Sequence, residues 1–250
     1  MSANPYESDR FLDEYLLFHY GTAEEILGDV PAPREALDFA VRSVTSLIDP
    51  PESRLPVALD IGCAVGRSTF ELTLFADAVT GIDYSHRFIQ AAQHLQAQGS
   101  IEAGKIVEGD ISERFLAAVP PGVIRSRARF FQGDAMALPQ DLCPADIVLA
   151  ANLICRLPDP AIFLARLPSL VKPGGQLLLT TPFTWLDTYT PRDKWLGGRP
   201  GGPSGFEALQ TRLEEHFDLE HTIDLPFLIR EHSRKFQYGI ALGSRWRRKP

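Results

Sequence analysis

Residues 58–73, ALDIGCAVGRSTFELT, constrain the fold of this chain more than any other segment. A short apolar run leads into a turn that contains Gly62 and Gly66, and apolar residues at helical spacing follow. A strand, a glycine turn and a helix in this order are how α/β proteins bind nucleotide-like ligands. The G-x-G-x-x-G fingerprint of dinucleotide binding is absent, because three other residues separate the two glycines. What remains is D-x-G-x-x-x-G, which begins at Asp60.

Strands and helices are predicted to alternate through the middle of the chain. Continuous apolar runs such as DIVLAA and QLLLTT are typical of strands buried on both faces of a parallel sheet. The alternation favours a doubly wound α/β fold, Rossmann-like, with helices on both faces of a mostly parallel seven-stranded sheet. We predict core strands at 57–61, 78–83, 129–133, 146–151 and 176–181, and core helices at 67–76, 85–98 and 160–171. Outside the core we predict cap helices at 7–20 and 34–48, a helix at 205–216, and strands at 218–224 and 236–246.

Composition excludes several functions. The net charge of −7 argues against a protein that binds duplex nucleic acid, which needs a broad cationic face. The one basic run, RWRRK at 245–249, is interpreted as a solvated tail. No apolar run approaches the roughly 18 residues of a membrane-spanning helix, and the acidic N-terminus lacks the features of a signal peptide, so we expect a cytoplasmic protein. Three scattered cysteines and six histidines without a close cluster do not predict a metal site.

Polar residues follow the predicted strands in a recognisable order. Asp83 ends the second strand, Asp134 the third and Asn152 the fourth. A similar glycine–aspartate pair at Asp110 is set aside, because only Asp134 lies about a dozen residues before the next strand, as a βα turn requires. We therefore interpret 99–128 as an insertion. This succession resembles the class I methyltransferases that use S-adenosylmethionine (SAM), over about residues 57–182.

The resemblance implies that SAM is the cofactor. In this class a carboxylate at the place of Asp83 accepts hydrogen bonds from both ribose hydroxyls, and a group at the place of Asp134 binds the adenine amino group. The turn departs from the class at Ala64, where a glycine is usual. A methyl group there narrows the space and disfavours a positive φ, so we expect a turn of different shape. The residues implied to contact SAM are Asp60, Gly62, Cys63, Ala64, Gly66, Asp83, Tyr84, Asp134, Ala135 and Asn152.

Five longer segments resemble a narrower group. The sequence is similar to the C-terminal methyltransferase domain of ovothiol synthase, the 4-mercaptohistidine N1-methyltransferase family, from about residue 5 to 248. The resemblance implies methyl transfer from SAM to the imidazole Nπ of 5-thiohistidine, which gives ovothiol A and S-adenosylhomocysteine. It also implies a functional link to a sulfoxide synthase and a PLP lyase that supply the substrate, and we expect a stand-alone enzyme. The segments are EYLLFHYG (14–21), DIGCAVGRSTFEL (60–72), LAANLICRLPDP (149–160), TPFTWLDTYTPRDKWLGG (181–198) and PFLIREHSRKFQ (226–237).

The implied product raises a problem of selectivity, because a thiolate is a better nucleophile than an imidazole nitrogen. A hydrogen-bond acceptor that faces the far ring nitrogen would select the reactive tautomer, and a donor near the sulfur would lower its reactivity. We predict that Tyr15, His19 and Asn152 are the catalytic residues and hold the ring together with Tyr20; Tyr15 and His19 share one helix face. Phe183, just past the fifth strand, is predicted to contact the ring.

The amino-acid end of the substrate carries a carboxylate and an ammonium group. We predict that the neighbours Arg230 and Glu231 bind these two charges, because an arginine fork matches a carboxylate. Arg156 is a weaker candidate for the carboxylate.

We expect residues 1–250 to form a single methyltransferase domain. It consists of a helical cap (1–50), a SAM-binding core (57–182), and a substrate-side loop with terminal strands (183–250).

Three alternatives are considered. The first is a methyltransferase with the same cofactor chemistry that acts on another small imidazole, a phenol or a thiol. A non-catalytic SAM-binding subunit would explain Ala64 in the turn. An NAD-dependent oxidoreductase is disfavoured by the missing fingerprint. The need for a general base is also left open, because 5-thiohistidine can react as its thiolate if the right tautomer binds.

Overall fold

Helices and strands alternate through much of residues 55–181, as the sequence predicts, but β3 to β6 follow one another without an intervening α-helix. The structure, a computed structural model, describes residues 5–250. Its strands are β1 (Leu55–Ile61), β2 (Ala76–Asp83), β3 (Ser100–Glu108), β4 (Ile111–Ala118), β5 (Ala128–Gln132), β6 (Ala145–Ala151), β7 (Val171–Thr181), β8 (Phe217–His232) and β9 (Lys235–Arg248). Its α-helices are α1 (Asp9–Tyr20), α2 (Ala23–Leu27), α3 (Phe39–Thr45), α4 (Arg67–Leu72), α5 (His86–Gln98), α6 (Pro160–Leu170) and α7 (Gly205–Leu213). No helix in this part of the chain combines the length and the apolar character that crossing a membrane requires.

Seven strands form one sheet in the order β5-β2-β1-β6-β7-β9-β8. The first five run parallel, whereas β9 pairs antiparallel with both β7 and β8. The predicted mostly parallel, seven-stranded sheet is therefore confirmed. Strand β1 has β2 on one side and β6 on the other, so the direction in which strands are added reverses there. Open α/β sheets bind ligands at the carboxyl ends of the strands that flank such a point.

The central strands contribute to two separate hydrophobic cores. In β6, Ile147 and Leu149 lie in one core, whereas the intervening Val148 and Ala150 lie in the other. This alternation follows from the two-residue period of a strand, and it requires apolar cover on both faces. Each large side chain buried in this way contributes about 1.5–3 kcal/mol. The first face is covered from α3 and α4 by Phe39, Val44 and Leu72, and the second from α6 and α7 by Phe163, Leu167 and Leu209.

The regions outside the core differ from the prediction in detail. The helix predicted at 34–48 is broken, because Asp38 adopts a left-handed backbone conformation with φ 56°. A 3₁₀ turn at Arg34–Ala36 precedes this residue and α3 follows it. The insertion at 99–128 contains a two-stranded hairpin formed by β3 and β4. This hairpin packs against α1, so the insertion adds to the cap side of the molecule.

The basic run at 245–249 is not the solvated tail that we predicted. It continues β9, and the Nε atoms of Arg245 and Arg247 donate to the two carboxylate oxygens of Glu220 at 3.0 and 2.8 Å. Arg247 also donates to the carboxylate of Asp49 at 2.8 Å. The hydrogen bond from Arg247 is the main cause that lowers the pKa of Glu220. These positive charges are therefore neutralised within the fold.

A buried arginine connects the N-terminal cap to the sheet. Arg230 of β8 donates through Nη1 to the carbonyl oxygens of Glu25 and Ile26 in α2, at 2.9 and 3.2 Å. Its Nη2 donates to the carbonyl oxygen of Ile106 in β3 at 3.3 Å. The residue is only 8% exposed. One side chain thus links a cap helix, the inserted hairpin and the sheet.

Replacement of Arg230 by methionine should destabilise the protein, because three carbonyl groups would lose their donor. At roughly 1 kcal/mol for each hydrogen bond, the free energy of unfolding should fall by about 3 kcal/mol, as measured by urea denaturation. Arg234→Met is the matched control at an exposed position, and it should change stability by less than about 0.5 kcal/mol. Equal stabilities of the two variants would contradict the proposed role of Arg230.

Candidate functional site

The turn between β1 and α4 contains three residues with positive φ. These are Gly62 at 79°, Ala64 at 47° and Gly66 at 87°. A side chain on Gly66 would also collide with the ring of Phe130, because an added Cβ would lie 2.7 Å from its Cε1. Ala64 retains the left-handed conformation at a cost of about 1–2 kcal/mol, despite its methyl group. The turn is therefore strained at this residue, and the positive φ that we expected the methyl group to prevent is present.

Two titratable groups lie buried beneath this turn. Oδ2 of Asp60 accepts hydrogen bonds from Ser68 Oγ at 3.0 Å and from Thr69 Oγ1 at 2.7 Å, whereas its Oδ1 has no partner among the described residues. Burial is the main cause that raises the pKa of Asp60, to about 6. The thiol of Cys63 is also buried, which raises its pKa, and it donates to the carbonyl oxygen of Ala64 at 3.7 Å. Only the backbone of Cys63 thus belongs to the turn.

The carboxylate of Asp83 connects the turn to the next strand. Its Oδ2 accepts from the Ala64 amide and its Oδ1 from the Ser85 amide, both at 2.9 Å. An ionised carboxylate has about four acceptor sites, so two stay available for hydroxyl donors. Burial is the main cause that raises the pKa of Asp83. The side chain is half-buried at the sheet edge, as a ribose-binding carboxylate must be.

The end of β5 lies beside the end of β2. The amide of Gly133 donates to the carbonyl oxygen of Asp83 at 2.9 Å, and Asp134 caps a short 3₁₀ turn by accepting from the Met136 amide at 2.8 Å. Ala135 begins that turn, and Tyr84 lies on the outer rim with 58% of its surface exposed. Asp110, in contrast, lies in the tight turn of the β3–β4 hairpin.

Strained residues also follow the neighbouring strands. Asn152 after β6 has φ 52°, and Phe183 after β7 has φ 50°. Oδ1 of Asn152 accepts from Thr180 Oγ1 at 2.9 Å, while its Nδ2 has no partner among residues 5–250. The ring of Phe183 packs on Gly205, where an added Cβ would lie 2.4 Å from its Cδ1. Non-glycine residues in the left-handed region cost about 1–3 kcal/mol each and concentrate at functional sites.

We call the four polar residues Asp60, Asp83, Asp134 and Asn152 the strand-end cluster. They end or follow β1, β2, β5 and β6, and they lie on the same edge of the parallel sheet. The sequence predicted this placement for each of them. Their roles toward a cofactor are still predictions.

Helix α1 places aromatic side chains over this edge. The ring of Tyr15 lies 4.8 Å from that of Phe88 in α5 and 5.8 Å from that of His19, between centroids. The hydroxyl of Tyr20 donates to the carbonyl oxygen of Val65 in the glycine turn at 2.8 Å. The three predicted cap residues are thus brought to the cofactor side of the sheet, and Tyr20 is fixed to the turn itself.

Burial keeps these cap residues uncharged. It lowers the pKa of His19 to about 3, and the nearby Arg67 guanidinium acts in the same direction. Nδ1 of His19 is buried without a partner among the described residues. Burial also raises the pKa of Tyr15, to about 12. Arg67 itself pairs with Glu71 at 2.7 Å inside α4, a buried ion pair that our sequence analysis missed although its i, i+4 spacing is visible.

The N-terminal segment is a second feature that the sequence did not reveal. The carbonyl oxygen of Tyr6 accepts from Ser85 Oγ at 2.9 Å. The carboxylate of Glu7 accepts from the amides of His86 and Arg87 at 2.8 and 3.4 Å. A carboxylate is favourable at the N-terminus of a helix, here α5. Residues 5–7 are therefore docked beside Asp83, and no periodicity in this short segment predicts it.

The three charged residues predicted to bind the substrate do not come together. Arg156 lies between β6 and α6, four residues after Asn152. Arg230 donates to the backbone of the cap and the hairpin, as described above. Glu231 accepts from Lys235 Nζ at 2.7 Å and from Gln237 Nε2 at 3.0 Å. No contact joins Arg230 or Glu231 to the strand-end cluster within the described part of the chain, contrary to our expectation for a zwitterion site.

The two glycine–aspartate pairs provide a test of cofactor binding. Asp134→Ala should weaken binding of S-adenosylhomocysteine about 10- to 100-fold, because a hydrogen bond to a charged acceptor contributes about 1.5–3 kcal/mol. Isothermal titration calorimetry measures this. Asp110→Ala removes the same group from the hairpin turn and should leave the affinity unchanged. A loss of affinity in the Asp110 variant alone would reverse our assignment of the two residues.

Known proteins resemble this chain over part of its length. Residues 59–179 match the family described as a methyltransferase domain. A ubiquinone biosynthesis O-methyltransferase of Thiobacillus denitrificans is 29% identical over 136 residues, which cover 52% of this chain and 47% of the relative. The corresponding protein of Leptothrix cholodnii is 29% identical over 125 residues, covering 49% and 43%. The chain thus spans about half the length of the curated relatives it matches.

Solved structures share the fold at low identity. The N-methyltransferase NodS of Bradyrhizobium japonicum, in complex with S-adenosylhomocysteine, has a TM-score of 0.54 at 18% identity, over 96% of this chain and 99% of that one. A SAM-dependent methyltransferase of Methanosarcina mazei has a TM-score of 0.53 at 17% identity, over 79% and 94%. The unpaired buried oxygen of Asp60 and the two remaining acceptor sites of Asp83 fit the donors of an adenosyl amino acid. Residues 59–179 therefore match a methyltransferase domain and have the class I methyltransferase fold, in which SAM is the cofactor.

Proposed function

We propose that this protein methylates an imidazole nitrogen of 5-thiohistidine to give ovothiol A, with S-adenosylhomocysteine as the second product. The resemblance of segments 14–21 and 149–160 to 4-mercaptohistidine N1-methyltransferases supports this, because these segments contribute the cap helix and the residues after β6. The observation that carries the proposal is the uncharged pair of Tyr15 and His19 beside the cofactor edge. An aromatic wall of this kind suits a small, flat acceptor ring.

The residues around the cofactor act by orientation. When bound, SAM supplies a methyl group on a positively charged sulfur. Asp83 offers acceptors for the ribose hydroxyls, Asp134 for the adenine amino group, and Asp60 a buried oxygen for a further donor. The chain needs no covalent intermediate, because correct positioning of two reactants lowers a barrier by about 7–11 kcal/mol.

The cap residues account for the choice of nitrogen over sulfur. The His19 ring stays neutral near pH 7, because burial lowers its pKa to about 3, and its Nδ1 is without a partner among residues 5–250. A neutral imidazole has one nitrogen that donates and one that accepts; with Nδ1 as the acceptor, His19 holds the proton on the far ring nitrogen of the substrate and leaves the lone pair on Nπ. Tyr15 stays protonated, because burial raises its pKa to about 12, and it donates toward the sulfur. Donation to sulfur lowers its nucleophilicity.

Methylation of a phenol oxygen is the second candidate, since the two curated relatives are named as O-methyltransferases. A phenol has a pKa of about 10 and must lose its proton before it attacks. His19 is a poor base for that step, because burial lowers its pKa to about 3. The geometry thus supports a nitrogen acceptor better than a phenol.

Incubation of the protein with SAM and 5-thiohistidine tests the proposal. We expect release of S-adenosylhomocysteine and, by NMR, a new methyl group on Nπ. A methyl group on sulfur, or turnover of a phenol without turnover of 5-thiohistidine, would refute N-methylation of this acceptor. Absence of S-adenosylhomocysteine with every imidazole, phenol and thiol would favour a non-catalytic subunit.

Substitutions in the cap should reduce both rate and selectivity. His19→Ala removes the acceptor and Tyr15→Phe removes only the hydroxyl. Each should lower kcat/KM about 10- to 100-fold, the equivalent of one buried hydrogen bond, and should raise the fraction of S-methyl product. His94→Ala changes an exposed histidine of α5 and should have no effect. Full activity and pure N-methylation in both cap variants would refute these roles.

A further inference from the structure

Arg156 is a half-buried cation without an acidic partner. Its Nη1 donates to the carbonyl oxygens of Cys155 and Thr184, at 3.1 and 3.2 Å. The guanidinium lies over the ring of Tyr189, 4.9 Å from the centroid. Within residues 5–250, no carboxylate lies at ion-pair distance from Arg156. The bonds to backbone carbonyls use one terminal nitrogen, which leaves the rest of the fork for side chains and for a ligand.

Tyrosine hydroxyl groups surround this cation. Tyr6 makes side-chain hydrogen bonds with Arg156, Tyr15 and Tyr189. The rings of Tyr6 and Tyr189 stack with their centroids 6.3 Å apart. Burial is the main cause that raises the pKa of both Tyr6 and Tyr15, so their hydroxyls stay neutral beside the cation. Asp83 is the acid whose charge acts on Tyr15, from the cofactor side.

The charge of Arg156 persists in this environment. Burial lowers the pKa of its guanidinium, but the neighbouring Cys155, Tyr6 and Tyr15 raise it, and the net shift is upward. A permanent positive charge with neutral hydroxyl donors is the composition of an anion site. Arg156 lies on the loop that follows β6, at the sheet edge where open α/β sheets bind ligands.

We propose that Arg156 and Tyr189 bind the carboxylate of an amino-acid acceptor, and that Tyr6, through its hydrogen bonds to both residues, positions them. The inference rests on the proposed function for the identity of the acceptor ring. It places the carboxylate on Arg156 in place of Arg230, whose two terminal nitrogens donate to backbone carbonyls of the cap and the hairpin. Tyr15 contacts Tyr6 as well as His19, so it adjoins both the carboxylate site and the predicted ring site.

A comparison of two acceptors isolates this interaction. The acceptors are 5-thiohistidine and its decarboxylated analogue, 5-thiohistamine. Each is tested with the wild type and with the variants Arg156→Gln, Arg156→Lys and Tyr189→Phe. In the wild type kcat/KM should favour the amino acid by about 10- to 100-fold, as expected for a charged hydrogen-bonded pair. Arg156→Gln should bring the ratio of the two kcat/KM values close to one by lowering only the value for the amino acid. Arg156→Lys and Tyr189→Phe should lower this ratio in part. Arg192 is an exposed arginine stacked on Trp195, in the segment after β7 that also contains Tyr189, and Arg192→Gln is the control that should keep the wild-type ratio.

Calorimetry separates a failure of this inference from a failure of the proposed function. Binding of 5-thiohistidine to the protein saturated with S-adenosylhomocysteine requires no turnover. Affinity that depends on the carboxylate and on Arg156, in a protein that does not methylate this acceptor, would support the site and refute the proposed function. The site would be overturned if Arg156→Gln left the ratio of the two kcat/KM values unchanged, or if 5-thiohistidine did not bind. Histidine has the carboxylate but lacks the thiol. An affinity that depends on the thiol and not on the carboxylate would also overturn the site.

Discussion

The hydrogen bond from the Ala64 amide to the Asp83 carboxylate is the interaction on which the candidate site depends. It joins the turn after β1 to the end of β2, and it compensates part of the strain at Ala64. The same carboxylate accepts from the amide of Ser85 at the start of α5, and the Asp83 carbonyl accepts from Gly133 after β5. One residue thereby fixes the relative positions of three strand ends. The cofactor edge is built around it.

Burial determines the chemistry of the cap. It keeps His19 neutral and Tyr15 protonated, so the cap offers hydrogen-bond donors and acceptors without a strong base. Arg156 retains its charge in the neighbouring part of the site because thiol and hydroxyl groups compensate for its burial. In the proposed complex, uncharged groups near the acceptor ring and a permanent charge at its other end together suit a polar amino acid. They would serve a large apolar acceptor poorly.

The sequence predicted those parts of the molecule that depend on local backbone geometry. The glycine turn, Asp83 and Asp134 could be placed because each follows a strand with a clear apolar pattern. The partners of Arg230 could not be predicted, because its carbonyl acceptor on Glu25 is 205 positions away in the chain. The same holds for Tyr6, which reaches Ser85 across 79 positions. Contacts of this kind follow from how the cap and the hairpin pack, and no spacing in a single sequence encodes them.

The alternation of β6 between two cores has a consequence for the site at its end. A slip of one position in the pairing of β6 with β1 would turn Ile147 and Leu149 toward the helices that now cover Val148 and Ala150. The same slip would displace Asn152, which continues the strand, by about 3.3 Å along the sheet edge. Packing of the interior and placement of a candidate site residue are thus set by the same strand pairing. A well-filled interior therefore also fixes the geometry of the candidate site.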